Sequence, residues 1–128
     1  MALRKDLSVL VVDDMTVSRQ ILLQLLEHMG VQKVQSAAGG VDAMLSLERR
    51  PADVVLCDMN MPDMTGLQLL QHLRADAQHN RIGFVMTSGE DTGEMIQEAW
   101  HHGMDQFLPK PFEMDSLITC LEGVAGRI

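Results

Sequence analysis

The chain is poor in aromatic residues. It has no tyrosine, one tryptophan and three phenylalanines (Phe84, Trp100, Phe107 and Phe112 together) in 128 residues. Eleven methionines take up part of the packing that rings would otherwise fill, and methionine is adaptable filler. There are two cysteines, Cys57 and Cys120, far apart and each inside an apolar run. That is no disulfide framework; reduced core thiols and a cytoplasmic address are expected. Basic residues are also scarce: ten Lys and Arg against eighteen Asp and Glu leave a formal net charge of −8. Such a surface repels a phosphate backbone, so nucleic acid is not an expected partner. No apolar run approaches the roughly 20 residues of a membrane span, and no membrane association is expected. Met1 to Asp6 is charged and the run after it ends in Asp13-Asp14, which is not the pattern of a signal peptide.

What is present suits one globular domain. Hydrophobic residues are 46% and charged residues 22% of the chain, enough for a core without metal or disulfide support. Leu7 to Val12 is almost continuously apolar, as a strand buried on both faces would be. Val17, Ile21, Leu22, Leu25, Leu26 and Met29 form a helical stripe, which Thr16 could cap at its start and Gly30 at its end. Val31 to Ala37 is shorter and more polar, as an edge strand would be. A helix opened by Gly39-Gly40 follows, with Val41, Met44, Leu45 and Leu47 apolar, and Pro51 closes it.

Val54 to Cys57 is the third strand and ends in Asp58. The loop Met59-Asn60-Met61-Pro62-Asp63 leads to a helix beginning near Thr65. The fourth strand, Ile82 to Met86, runs into Thr87-Ser88-Gly89, and a helix from about Asp91 to His102 is ended by Gly103. Gln106 to Leu108 and Pro109-Lys110-Pro111 precede a last helix with a stripe of Met114, Leu117, Ile118, Leu121 and Val124. Strand–helix alternation repeated in this way implies an α/β fold, a parallel sheet with helices on both faces.

Ligands of open α/β sheets bind at the carboxyl ends of the strands, and there these strands carry reactive types. Asp13 and Asp14 follow the first, Asp58 ends the third, Thr87 and Ser88 follow the fourth, and Lys110 follows the fifth. Any one of them could be a turn or capping residue; their convergence on one rim argues for a site. Clustered carboxylates repel unless a cation joins them. Mg²⁺, a hard ion that keeps several waters, suits two or three carboxylates. With a Lys and a hydroxyl alongside, such an ion seats a phosphoryl group, and a carboxylate can itself be the nucleophile.

The pair Asp13-Asp14, the loop Asp58-Met59-Asn60-Met61-Pro62, Gly66, Ser88-Gly89-Glu90 and Lys110-Pro111-Phe112 together resemble a response-regulator receiver domain, most closely the stand-alone CheY-like chemotaxis type. The resemblance runs from Leu7 to about Val124. It implies a flavodoxin-like (βα)5 fold with strand order 2-1-3-4-5, one receiver domain without an output domain, and a monomer.

The resemblance also implies roles. Asp58 would accept a phosphoryl group from a CheA-like sensor histidine kinase. Asp13, Asp14, Asp58 and the backbone carbonyl of Asn60 would hold Mg²⁺. Lys110 would pair with the carboxylate and then with phosphoryl oxygens, and the Lys110-Pro111 peptide would be cis. Ser88, which precedes Gly89 and Glu90, would be the switch hydroxyl, with Thr87 in reserve. Phe107 would be the aromatic whose rotamer follows the switch; lacking a phenol hydroxyl, it would act by packing alone, or be a plain core residue. Asn60 and Glu90 would set the lifetime of the phosphorylated form, expected at seconds to minutes.

The output would be a protein contact, with a FliM-like flagellar motor switch protein as the first expectation and a phosphorelay or phosphate-sink role as the second. An Asp-based phosphohydrolase is a third reading. Against it stands Asn60, where the haloacid-dehalogenase type would place a second acid. A scaffold that only resembles a receiver is a fourth, opposed by the complete residue set. No Gly-rich nucleotide loop and no G-x-S-x-G is present. His28, His72, His79, His101 and His102 lack metal-ligand spacing. Cys57, between Leu56 and Asp58, is expected to be a buried structural thiol. Trp100 is expected to pack partly against the core, the alternative being an exposed contact on the output face.

Overall fold

The computed structural model describes residues 6–89 and 93–125. Among them, strands and helices alternate: β1 (Ser8–Val12), α1 (Thr16–His28), β2 (Lys33–Ala37), α2 (Gly40–Arg49), β3 (Val54–Asp58), α3 (Gly66–Ala75), β4 (Gly83–Ser88), α4 (Gly93–His101), β5 (Gln106–Pro109) and α5 (Met114–Ala125). The strands form one parallel sheet in the order β2-β1-β3-β4-β5. This is the expected doubly wound topology. The crevice where the order reverses lies between β1 and β3, at their carboxyl ends. No helix among the described residues is long and apolar enough to cross a membrane.

Strand alternation divides the core into two layers. Leu10, Val12, Val55, Cys57, Phe84 and Met86 face α2, α3 and α4, where Ala43, Leu47, Leu69, Leu70, Leu73 and Ala99 meet them. Val9, Val11, Val54, Leu56, Val85 and Leu108 face α1 and α5, against Leu22, Leu26, Leu117, Cys120, Leu121 and Val124. Both faces of the central strands are buried, which is why those strands read as continuous apolar runs. Burying each such Val, Leu or Phe side chain contributes about 1.5–3 kcal/mol.

Several local expectations are corrected. The N-cap of α1 is Met15, and no side chain caps it; Thr16 is already helical. Asp13 takes over part of that task from outside the helix, its Oδ1 accepting from the Met15 N–H at 2.9 Å. The buried stripe of α1 is Ser18, Leu22 and Leu26, whereas Val17 and Ile21 face solvent. In α2, Val41 and Leu45 are likewise exposed while Ala43 and Leu47 are buried. Periodicity found these helices but assigned too wide an apolar face to the core. Other signals held. Gly30 (φ 89°) and Gly103 (φ 97°) end α1 and α4 in the left-handed region. Thr65 and Gln68 form a reciprocal capping box at the start of α3. Trp100 is 47% exposed, so about half of the side chain stands in solvent and it is no part of the buried core.

Arg74 ties together the segments that lead into β4 and β5. Its guanidinium donates to the carbonyls of Ile82 (2.7 Å) and Gly103 (2.8 Å) and pairs with Asp105 at 3.3 Å. Asp105 in turn accepts from the Phe84 N–H at 2.8 Å.

Gly66 packs α3 directly under the end of β3. A Cβ there would lie 2.6 Å from the Asp58 carbonyl oxygen and 2.6 Å from Met86 Sδ. Gly66→Ala is therefore expected to lower unfolding stability by about 1–3 kcal/mol, the usual cost of overpacking, measured as a shift in the urea midpoint.

Candidate functional site

The carboxyl ends of β1 and β3 bring Asp13, Asp14 and Asp58 together. Each offers one carboxylate oxygen, and the three oxygens lie within 4.8 Å of one another. Asp13 is fully buried, Asp58 is nearly so, and Asp14 is exposed. Asp13 is fixed from several sides. Its N–H donates to the Ala37 carbonyl at 3.1 Å, tying it to β2. Its carbonyl accepts from the Arg19 guanidinium at 2.7 Å.

Lys110, from the segment after β5, closes the site. Its Nζ stands 3.2 Å from Asp13 Oδ2 and 3.3 Å from Asp58 Oδ1. The Lys110-Pro111 peptide is cis, and the Lys110 N–H donates to the Ser88 carbonyl at 2.9 Å. Lys110 also lies 5.9 Å from the centre of the Phe112 ring, within cation–π range. One ammonium thus serves two buried carboxylates. Their shared negative charge is not balanced by it.

That imbalance is felt at Asp58. Burial raises its carboxyl above the ordinary value of 3.8, and Asp13 and Asp14 add to the rise, while Lys110 opposes it. Cys57, on the opposite side of the same strand, has its thiol pushed well up, first by burial and then by Asp58 and Asp13. It stays a protonated, inert thiol.

The two neighbouring hydroxyls part company. Thr87 is paired in register with Asp58, and Ser88 with Pro109. Alternation places Thr87 on the face of Val85, with Asp58, and Ser88 on the face of Met86, with Phe107. Phe107 is half-buried against the layer of α2, α3 and α4. Asn60 is exposed, two residues beyond Asp58. Glu90 lies outside the described residues.

The loop between Asp58 and α3 is anchored by Asp63, which sequence reading passed over. Its carboxylate accepts from the N–H groups of Val41 (3.0 Å), Gly40 (3.2 Å) and Met64 (3.0 Å). The hydrogen bond from Val41 leads in holding this carboxyl below the ordinary range. An Asp facing the start of α2, twenty-odd residues away in sequence, leaves no local signal.

No second cluster competes. Among the described residues, Asp13, Asp14 and Asp58 are the one group of three or more metal-binding side chains within reach of a common ion. Two of the histidines have partners of their own: His79 pairs with Asp76 at 2.8 Å, and His102 meets Gln71 at 3.3 Å.

Comparison with known proteins agrees with this geometry. Residues 9–122 match the family model of the response regulator receiver domain. The chain belongs to that family. It is 33% identical over 126 residues to chemotaxis protein CheY-3 of Vibrio cholerae, covering 98% of this chain and 97% of that protein. Among solved structures, chemotaxis protein CheY4 of Vibrio cholerae superposes with a TM-score of 0.86 at 32% identity, covering 92% of this chain and 98% of that one. The receiver domain of sensor histidine kinase PA1611 from Pseudomonas aeruginosa has a TM-score of 0.84 at 25% identity, covering 94% and 98%. That structure holds a magnesium ion in its active-site cleft. This chain is a signalling receiver of the CheY-like type.

The raised Asp58 carboxyl has a consequence for stability. The folded chain holds that proton more tightly than the unfolded chain, so this group favours folding most at acid pH. The contribution is lost as pH rises through the folded value. In metal-free buffer at pH 7, Asp58→Asn is expected to unfold at a higher temperature than wild type. The gap should narrow as pH falls toward the ordinary carboxylate range, as calorimetry at several pH values would show.

Proposed function

We propose that this receiver is a switch phosphorylated on Asp58 by a sensor histidine kinase, and that phosphorylation changes its affinity for a protein partner. The observation that carries this reading is the convergence of three carboxylates within 4.8 Å, two of them touched by one lysine. The donor set is all hard oxygen, and the exposed Asp14 leaves room for water, which fits Mg²⁺. Asp13, Asp14 and Asp58, with the Asn60 backbone carbonyl, are the proposed ligands. The bound ion would supply charge neutralisation between an anionic nucleophile and an anionic phosphoryl donor.

The chain's own groups account for the rest. A carboxylate oxygen of Asp58 attacks phosphorus of a phosphohistidine. An O–P bond forms while the N–P bond breaks, and the imidazole nitrogen leaves with the electron pair. Lys110, already on Asp58, moves onto the phosphoryl oxygens. Ser88 is the proposed donor that follows it, and Phe107 on the same face repacks with Ser88, without a hydrogen bond of its own. This favours an active arrangement of α4, β5 and α5. Water then attacks phosphorus, the aspartyl O–P bond breaks, and inorganic phosphate leaves. Asn60 and Glu90 are the proposed groups near that water.

The names of the CheY-3 and CheY4 relatives support a chemotaxis role, and a flagellar motor switch protein is the proposed partner. The exposed Trp100 on α4 supports an output face there, since exposed aromatics mark partner surfaces. A motor-switch peptide should be retained by the phosphorylated chain and released by the unmodified one. Equal retention would leave the phosphate-sink role.

Phosphotransfer from a histidine kinase should label wild type and leave Asp58→Asn unlabelled. Beryllofluoride with Mg²⁺ should change Trp100 fluorescence in wild type, and no change would remove the switch. Mg²⁺ alone, at a hundredfold excess over its Kd, should stabilise the chain by about 2.7 kcal/mol. Asp13→Asn should abolish most of that gain in a thermal melt.

A further inference from the structure

Thr87 is out of place in its strand. Gly83 to Met86 before it are apolar, and Thr87 is equally buried, 1% exposed. Its Oγ1 is shut away from solvent and has no hydrogen-bond partner among the described residues. A buried hydroxyl without a partner is a net cost to folding. Valine has the same shape and would avoid that cost, so the hydroxyl calls for a reason.

Its neighbours supply one. Thr87 stands in register with Asp58 on β3 and with Leu108 on β5. In-register residues of paired strands are about 4.8 Å apart and point to the same face. The face is that of Leu56 and Val85, two residues earlier on each strand. The Met59 N–H donates to the Thr87 carbonyl at 2.9 Å, locking the two strands together at this level. The Asp13 carboxylate accepts from two donors, the Met15 backbone N–H and the Lys110 ammonium. Among the described residues, Asp58 is met by Lys110 alone, on Oδ1.

We propose that Thr87 is a positioning residue for Asp58, its hydroxyl turning from the unpartnered rotamer onto the Asp58 carboxyl and holding it as the phosphoryl group is received. The move would be a change of χ1 well. The two hydroxyls then have separate tasks. Ser88, on the Phe107 face, serves the phosphoryl group, and Thr87, on the Asp58 face, serves the carboxyl. This inference rests on Asp58 being the phosphoryl acceptor.

The test uses the full chain with Mg²⁺ and acetyl phosphate, in wild type, Thr87→Val and Thr87→Ser. Thr87→Val should fold with a urea midpoint at or above that of wild type, and its phosphorylation should slow by roughly three- to tenfold, the worth of one hydrogen bond. Thr87→Ser should return the rate to within about twofold of wild type on the same scale. A Val variant labelled at the wild-type rate overturns the proposal, as does a Ser variant as slow as the Val one. So does a Val variant with a lowered midpoint or no fold, because the hydroxyl would then be structural. A wild-type chain that takes no phosphoryl group overturns the acceptor reading itself, and is distinguished by that result.

Discussion

Two buried carboxylates share one ammonium, and the arrangement of the whole carboxyl edge follows from this. Asp13 and Asp58 come from adjacent parallel strands, so the pairing of β1 with β3 fixes their spacing. Lys110 reaches both from beyond β5, two strands further across the sheet. Removing a carboxylate from water is costly, and a single cation between two of them recovers part of that cost. Asp14 adds a third negative group at the solvent edge. The site is thus held together and left short of positive charge, and a divalent ion or a charge-spreading phosphoryl group would relieve it. Burial raises the Asp58 carboxyl, Lys110 opposes the rise, and Asp13 and Asp14 add to it.

The surroundings are built to keep that imbalance in place. Asp13 is tied to β2, to the first turn of α1 and to Arg19. The loop after Asp58 is pinned at its far end by Asp63 on the start of α2 and by the Thr65 capping box on α3. The Gly66 N–H donates to the Met59 carbonyl at 2.8 Å. Asp58, its loop and two helix starts therefore form one hydrogen-bonded unit. A change in charge at Asp58 has short routes to α2 and α3 through backbone, and to β5 through Lys110.

Much of this was legible in the chain. Apolar runs that stop at Asp13, Asp58, Thr87 and shortly before Lys110 mark strand ends, because a strand buried on both faces has little place for a charge or a polar group. The parallel sheet follows from the alternation, and the strand ends then share a rim. Residues whose role depends on tertiary partners were not legible. Asp63 caps a helix remote in sequence, and Arg74 latches three segments through carbonyls that have no sequence identity. Val17, Ile21, Val41 and Leu45 satisfy helical periodicity and yet face solvent, since periodicity reports polarity and not the width of the buried face. Thr16 looked like a cap; the helix instead starts one residue earlier under Asp13.

The neighbouring hydroxyls show where reading by motif needs the sheet. Motif order selects Ser88 from the Ser-Gly-Glu run, and register assigns it to the face of Phe107. Phe107 has no hydroxyl to exchange with solvent or backbone. In the proposed switch its half-buried ring would report on Ser88 through van der Waals contact with the layer that holds Met86 and Ala99. Dispersion contacts are individually weak and additive over a ring, so the coupling depends on how tightly that layer is packed. Methionines make it adaptable: Met86 and Met104 are buried there, and Met95 packs against them. An unbranched thioether shifts between rotamers at small cost. A ring moving inward would thus displace flexible side chains and not rigid ones. With a phenol, a new hydrogen bond could select one ring position; in the proposed switch that selection would fall to the fit of Phe107 among the side chains of this layer, Met86 and Met104 included.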